Sequence, residues 1–332
     1  MAMSNERRWL LLYSVVSVLS LVGFRHAELV PTAHPVPDRF VAEATIQSVH
    51  LGRQLIDSKV LLPVTLHGQV MTTILDLGGE AGLFGVDVTN GPMESGIPTA
   101  ALRLGPDSHT RLLDSLTLGT VVEHDVPVFL GAGTTYMPDL PAGLPPLLGY
   151  LGTYVLSHYD LVFDGPAHRV RLYTFAGSAA MRRSAWLPPG IARADCTLMG
   201  ELDSTKFVRP PIWAKGHPID GVFDSGAGTT SMNLTAAHLL GITPTSPHVQ
   251  IVSADSATYF FSGGNGGDTV YRVTGLTFTV GSRRLRSIPV TIYSSLPGDH
   301  GQPKINLGLD AFRDRVLVVS YSTGHVCVGE PR

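Results

Sequence analysis

The sequence is poor in cysteine and in charge. Its 332 residues include two cysteines, Cys196 and Cys327, which excludes a fold held together by a disulfide network. The two can pair in an oxidising compartment or pack as buried thiols, and the sequence leaves both states open. Charged residues make up 15% of the chain, the formal net charge is −3, and no long basic run occurs. We therefore expect no nucleic-acid partner.

Motifs of other hydrolases and of cofactor binding are missing as well. The thirteen histidines include no His-Glu-x-x-His pair and no paired Cys-His spacing, which leaves a zinc peptidase unsupported. Ser225 is not in a Gly-x-Ser-x-Gly turn, because Phe223 and Ala227 stand where the glycines are needed. The glycine-rich segment after Asp224 lacks the third glycine of a dinucleotide loop. The sequence predicts no metal and no cofactor.

The N-terminus has the layout of a secretory signal peptide. Arg7-Arg8 precede an apolar stretch from Trp9 to Phe24, which is short for a membrane-spanning helix. No clear small-x-small cleavage site follows, so an uncleaved membrane anchor and a buried N-terminal helix stay open as alternatives. We expect an exported protein, periplasmic or secreted, with residues 1–27 as its signal peptide or anchor.

The chain contains an internal duplication. An apolar strand ending in Asp-x-Gly occurs at Ile74–Gly78 and again at Val222–Gly226. A constant offset of 148 residues relates Pro63 to Pro211, Gly68 to Gly216, Asp76 to Asp224, Gly78 to Gly226, and Asp107-Ser108 to Asp255-Ser256. A period of this length is too long for a solenoid repeat and indicates a duplicated domain.

After an insertion in the second copy the offset changes. Leu148-Gly149 aligns with Leu307-Gly308, and the strand pair that starts at Asp160 aligns with the pair that starts at Val316. Most aligned segments are short runs of β-branched or large apolar residues between Gly, Pro, Asp and Ser, which is typical of strands.

Helical signals are few. The best is Leu234–Leu240, where Asn233 can cap the start and Gly241 can end the helix. We therefore expect an all-β protein. Its predicted parts after the N-terminal segment are a first lobe at 36–176, a linker at 177–190 and a second lobe at 191–332.

The surroundings of the two aspartates carry a family resemblance. Asp224-Ser225-Gly226-Ala227 follows two apolar residues, and Asn306-Leu307-Gly308-Leu309-Asp310 comes later in the same copy. In the first copy, Leu147-Leu148-Gly149 takes the matching hydrophobic-hydrophobic-Gly position. These segments resemble the retropepsin-like and pepsin-like aspartic proteases, over nearly the whole chain after the signal region. The resemblance implies a bilobal acid-protease fold, with two homologous closed β-barrel lobes and few short helices.

The same resemblance implies a function. Each lobe would supply one catalytic aspartate, Asp76 and Asp224, in a monomer that contains an internal pseudo-dimer. Two close carboxyls cannot both ionise readily, so one acts as base and the other as acid on a bound water, without assignment to either residue. Gly78 and Gly226 would let the backbone turn tightly, and Ser225 would brace the two loops. The expected substrate is a peptide or protein.

Two aligned turn segments suggest a substrate cover. Asp107-Ser108 and Asp255-Ser256 lie between apolar runs, and Tyr259 follows the second turn. In the family such hairpins act as flaps, so the resemblance implies that these residues bind substrate. A tolerated surface insertion, and plain cross-strand packing for Tyr259, are the alternatives.

One departure from the family pattern bears on activity. Leu77 follows the first aspartate where the family has Thr or Ser, so only Ser225 keeps a bracing hydroxyl. Glu80 adds a carboxylate near a site whose protonation depends on local charge. Two alternatives therefore stand beside an aspartic endopeptidase: a non-catalytic peptide-binding protein, and a dimer in which two second lobes pair through Asp224.

Overall fold

The computed structural model describes residues 39–51, 55–88, 96–98, 101–105, 111–131, 138–174, 187–188, 191–200, 205–252, 270–296 and 298–332. The predicted signal segment at 1–27 and most of the predicted linker lie outside the described residues. The five flap residues also lie outside them: Asp107, Ser108, Asp255, Ser256 and Tyr259.

Strands make up most of the regular secondary structure of the described chain. The elements of the first half are β1 (Arg39–Leu51), β2 (Leu55–Leu66), β3 (Gln69–Asp76), β4 (Leu83–Val88), β5 (Ile97–Pro98), β6 (Leu102–Leu104), β7 (Arg111–Leu118), β8 (Val121–Gly131), β9 (Leu147–Gly152), α1 (Thr153–Leu156), β10 (Tyr159–Asp164) and β11 (Arg169–Thr174).

The second half is likewise built of strands and one short α-helix. Its elements are β12 (Cys196–Leu198), β13 (Ile212–Ala214), β14 (His217–Phe223), β15 (Ser231–Asn233), α2 (Leu234–Leu239), β16 (Val249–Val252), β17 (Val270–Leu276), β18 (Phe278–Val280), β19 (Arg283–Arg284), β20 (Ile288–Tyr293), β21 (Lys304–Leu307), β22 (Val316–Ser320) and β23 (His325–Val328). Short 3-10 turns occur at Arg193–Asp195 and Leu309–Ala311.

One antiparallel layer joins the two halves. Its strand order is β12-β23-β22-β10-β11-β1, and β10 of the first half pairs with β22 of the second, with Val162 opposite Val318. Both strands are rich in large apolar residues and are buried along almost their whole length, as expected for strands covered on both faces. The largest hydrophobic cluster therefore contains residues of both halves.

The first half closes into a six-stranded barrel. The order β2-β3-β9-β4-β8-β7 ends where β7 pairs back to β2, with Thr65 opposite Thr117. Within it β3 runs parallel to β9, β4 runs parallel to β8, and β4 is antiparallel to β9. This places Asp76, the last residue of β3, at the end of a central strand.

The second half curls in the same way but its wall is interrupted. The pairings are equivalent, with β14 parallel to β21, β15 parallel to β20, and β15 antiparallel to β21. The strand that should close the barrel is broken at Thr277, so that β17 pairs with β20 while β18 pairs with β13. Gly275 lies two residues before the break and has a φ of 85°. This left-handed backbone conformation favours glycine. The prediction of an all-β, bilobal fold is confirmed, but only the first half has an unbroken barrel wall.

The structure corrects one aligned segment of the duplication. Leu75 pairs with Leu151 and Asp76 with Gly152, just as Phe223 pairs with Leu307. Gly308 therefore corresponds to Gly152 and not to Gly149. An added Cβ at Gly152 would meet the carbonyl oxygen of Ala81 at 2.2 Å, and one at Gly308 would meet Thr229 at 2.5 Å. Close backbone contact therefore requires glycine at both sites.

Two local predictions can be compared with the structure directly. The side chain of Asn233 accepts a hydrogen bond from the amide of Ala236 and caps α2, and Gly241 follows the helix with a φ of 67°, as expected from the sequence. Cys196 and Cys327 form a disulfide between opposite residues of β12 and β23, which resolves the open choice between a disulfide and two free thiols.

In the part of the chain that the structure describes, no helix is long and apolar enough to span a membrane.

Candidate active site

Two equivalent strands carry the two aspartates. Asp76 ends β3, and Asp224 directly follows β14, where its amide donates to the carbonyl of Leu307 at 2.9 Å. The residue before Asp224, Phe223, is wedged between Phe163 and Phe312, with ring centroids 5.1 Å apart on each side. These edge-to-face contacts fix the end of β14 against the shared sheet.

The structure brings the two carboxyl groups together. They share a side-chain hydrogen bond. The amide of Gly78 donates to Oδ1 of Asp76 at 2.9 Å, and the amide of Ala227 donates to Oδ1 of Asp224 at 3.1 Å. Oδ2 of Asp224 also accepts from Nδ2 of Asn306 at 3.4 Å. Each carboxyl is thus oriented by the loop that follows it, and both are half-buried.

The glycines after the aspartates are needed for space. A Cβ on Gly78 would lie 2.4 Å from Cγ of Asp224, and a Cβ on Gly226 would lie 2.4 Å from Oδ1 of Asp76. Both glycines lie in turns, and neither is among the residues with positive φ. Each glycine lies directly against the carboxyl of the other half, which lets the two loops approach this closely.

One hydroxyl braces the loops. Oγ of Ser225 donates to the carbonyl of Leu75 at 2.9 Å and accepts from the amide of Leu77 at 3.0 Å. Ser225 is fully buried, so both bonds are shielded from water. The side chain of Leu77 is also fully buried and packs in the main hydrophobic core. Because leucine has no hydroxyl, the symmetric pair of bonds from the first half to the second is not made by residue 77.

Both loops are also held from behind by equivalent backbone bonds. The amide of Thr153 donates to the carbonyl of Gly79 at 2.8 Å, and the amide of Leu309 donates to the carbonyl of Ala227 at 2.9 Å. Oγ1 of Thr153 adds bonds to the carbonyls of Gly79 and Thr205, at 3.1 and 2.6 Å. The glycines before these residues allow the approach. This support was not predicted, because the alignment placed the matching glycine three residues too early.

A buried ion pair beside the aspartates was also missed. Nζ of Lys59 lies 2.9 Å from Oδ2 of Asp57, and Lys59 is 2% exposed. Nζ of Lys59 also donates to the carbonyl of Gly226, and the amide of Gly228 donates to Oδ2 of Asp57 at 3.3 Å. A signal was available, since two charged residues at alternate positions precede the apolar run of β2 and point to the same face of that strand.

The electrostatics of the site follow from burial and from these charges. Burial raises the pKa of Asp76, although its hydrogen bonds and the charge of Lys59 act in the opposite direction. Burial, followed by the charge of Asp76, raises the pKa of Asp224 to about 8, and Lys59 again opposes the shift. The pair therefore holds one proton over a wide range of pH. Such a pair can supply a base and an acid at the same time.

The remaining candidates are less informative. Glu80 is exposed, and the predicted flap residues lie outside the described ranges. Within those ranges no group of three or more His, Cys, Asp and Glu side chains could hold a metal ion.

Part of the second half matches a known protein family. Residues 211–311 match the aspartyl protease family. The matched segment contains Asp224, Ser225 and Gly226 and ends just after Asp310, but it does not reach Asp76. No curated protein shows significant similarity to the chain. The segment from residue 211 to residue 311 is thus similar in sequence to aspartyl proteases, and Asp224 begins the Asp-Ser-Gly loop within it.

Proposed function

We propose that this chain is an aspartic endopeptidase that hydrolyses peptide bonds with Asp76 and Asp224. The observation that carries the proposal is the hydrogen-bonded carboxyl pair, with a glycine of each loop against the aspartate of the other. The family match of residues 211–311 supports the general class of activity. The pairing of the two halves into one site extends that class to a single-chain enzyme.

The chemistry needs one proton on the pair. The ionised carboxyl removes a proton from a water molecule as its oxygen attacks the peptide carbonyl carbon, while the protonated carboxyl donates a hydrogen bond to the developing oxyanion. Collapse of the tetrahedral intermediate breaks the C–N bond, and a proton from the pair goes to the leaving nitrogen. The products are a carboxylic acid and an amine, and the pair returns to its single-proton state.

The remaining expectations belong to the same proposal. The substrate is an extended peptide that binds as an added strand between the two halves. That Asp107, Ser108, Asp255, Ser256 and Tyr259 contact it stays a prediction from the sequence, since these residues lie outside the described ranges. The enzyme acts as a monomer with two lobes at 36–176 and 191–332. Its N-terminal sequence supports export, which a comparison of secreted, periplasmic and membrane fractions would test.

The direct test is cleavage of an unstructured protein by the purified chain between pH 3 and pH 8. We expect Asp76→Asn and Asp224→Asn each to lower kcat/KM by about 10³-fold or more, because either change removes a member of the acid–base pair. The double variant should be no worse than the worse single variant, since residues acting as a unit are not additive. Asp139→Asn changes an exposed aspartate and should retain parental activity.

Three outcomes separate the alternatives. Loss of activity in both single variants supports one internal site. Loss with Asp224→Asn alone, together with a rate that rises faster than linearly with protein concentration, would favour a dimer of second lobes. Peptide binding without cleavage by the parent would favour a peptide-binding protein and refute the proposal.

A further inference from the structure

Asp57 and Lys59 of β2 contact the second aspartate loop at two backbone atoms. Nζ of Lys59 donates to the carbonyl of Gly226, and Oδ2 of Asp57 accepts from the amide of Gly228 at 3.3 Å. The two side chains are joined by an ion pair of 2.9 Å. Because they are two residues apart on one strand, they project from the same face. The first half thus holds both ends of a three-residue segment of the second half.

The space around Gly228 is consistent with this contact. A Cβ on Gly228 would lie 1.7 Å from Oδ1 of Asp57 and 2.6 Å from the amide nitrogen of Ser58. By the offset of 148 residues, the first copy has Glu80 at this position, and Glu80 is exposed. The carboxylate of Asp57 therefore fills the space that a side chain at position 228 would need.

The contact is one-sided, as is the serine brace. At the positions equivalent to Asp57 and Lys59, the second copy has Thr205 and Phe207, which cannot form an ion pair. The hydroxyl of Ser225 holds the backbone of the first loop. The hydroxyl that Leu77 lacks would have held the backbone of the second loop. Asp57 and Lys59 hold that same second loop.

We infer that Asp57 and Lys59 are positioning residues that hold the Asp224 loop in place of the hydroxyl missing at residue 77. The inference rests on the proposed function for its catalytic consequence, but the structural contact does not depend on activity. The ammonium group of Lys59 also lowers the pKa of both Asp76 and Asp224, against the larger effect of burial. It thereby links the position of the loop to the protonation of the pair.

The charges around the pair determine the direction of its effect. Lys59 faces Asp57 on its own strand, Asp76 at the end of β3 and Asp224 in the second loop. Burial raises the pKa of Asp310 and of Tyr150, and the negative charge of Asp57 adds to both shifts. Removing the lysine charge makes ionisation of both aspartates harder, whereas removing the charge of Asp57 makes it easier. The two partners should therefore shift the pH dependence in opposite directions.

The experiment compares Lys59→Met, Asp57→Asn and the control Lys215→Met. Nζ of Lys215 donates to the carbonyl of Leu240 at 3.0 Å, so the control loses the same type of bond away from the aspartates. Amide hydrogen exchange of residues 226–228 should accelerate by about tenfold to a hundredfold in Lys59→Met, because a bond to a charged group is lost. Exchange of this segment in Lys215→Met should match the parent.

The pH profile of kcat/KM gives the second readout. Both limbs should move to higher pH by about one unit in Lys59→Met and to lower pH in Asp57→Asn, since a nearby charge changes a carboxyl pKa by about that amount. Unchanged exchange, or limbs that move in the same direction in both variants, would overturn the inference. If Lys59→Met does not fold, the near-isosteric Asp57→Asn and its downward shift decide the matter. If the parent cleaves nothing, the proposed function fails and exchange alone decides.

Discussion

The loop after Asp76 and the loop after Asp224 have equivalent strands, glycines and rear supports, but they differ in how they are held across the site. The first loop receives two hydrogen bonds from the buried hydroxyl of Ser225. The second loop receives an ion pair, Asp57 and Lys59, from a neighbouring strand. The two halves therefore arrive at similar loop geometry by different chemistry.

This difference shows which features the geometry depends on. The glycines at 78 and 226 are present in both copies because each faces the other carboxyl at a distance that allows no Cβ. The hydroxyl is present in one half only, and the loop of the other half is held by a different contact, the ion pair of Asp57 and Lys59. A single departure such as Leu77 does not by itself imply loss of the site.

The largest expected effect breaks the close approach of the two loops. Gly226→Ala should lower kcat/KM by about 10³-fold or more, as for loss of the acid–base pair, because its Cβ would overlap the carboxyl of Asp76. Gly68→Ala is the control, since nothing lies within 4 Å of its added Cβ. It should retain activity with a small loss of stability. Near-parental activity in Gly226→Ala would contradict the described geometry.

The next effect concerns the hydroxyl brace. Ser225→Ala should lower the free energy of unfolding by about 2 to 4 kcal/mol, because it leaves the buried amide of Leu77 and carbonyl of Leu75 without this partner. Urea unfolding measures the change. A loss below about 0.5 kcal/mol, the range of an ordinary surface substitution, would show that the brace contributes little.

Restoring symmetry sharpens the comparison. Leu77→Thr and Leu77→Val leave side chains of nearly equal shape that differ by one hydroxyl. If residue 77 can form the bonds that Ser225 forms on the other side, Leu77→Thr should be more stable than Leu77→Val by about 1 kcal/mol. A less stable threonine variant would mean that the hydroxyl is buried without a partner and that the second loop offers no equivalent site.

The last effect is on the pH dependence of stability, where the sign of the change is the test. The pKa of Asp224 is raised to about 8 from 3.8, so its contribution to stability is full below pH 4 and is lost as the pH rises through about 8. Asp224→Asn removes this loss, so its stability relative to the parent should be higher at pH 8 than at pH 4 by about 1 kcal/mol or more, since one pKa unit corresponds to about 1.4 kcal/mol. Thermal unfolding of both proteins at pH 4 and pH 8 tests the sign.

Much of the fold could be predicted from the sequence, because its signals are local. The strand ends at Asp76 and Asp224 and the capped helix α2 follow from short patterns of apolar and turn residues. The register of β9 was misjudged at Gly149, although an offset of 156 residues already relates Asp160 to Val316 and also relates Gly152 to Gly308. Using the same offset for β9 and for the following strand β10 would have given the correct register.

The contacts across the site could not be predicted in the same way. The ion pair of Asp57 and Lys59 reaches a loop more than 160 residues away, and no local pattern indicates its partner. The closure of the first barrel likewise depends on one distant pairing, between Thr65 and Thr117. The break between β17 and β18 at Thr277 arises because the two strands pair with different partners. The residues around Thr277 do not indicate it. Long-range contacts of this kind require the structure.

The most direct test of the account is a carbon-13 NMR titration of the aspartate carboxyl groups in the parent and in Asp76→Asn. The account predicts that the Asp224 carboxyl of the parent titrates near pH 8. In Asp76→Asn its pKa should fall, because the charge and hydrogen bond of Asp76 that raise it are gone. An Asp224 carboxyl that titrates at the same pH in both proteins would contradict a coupled pair of aspartates.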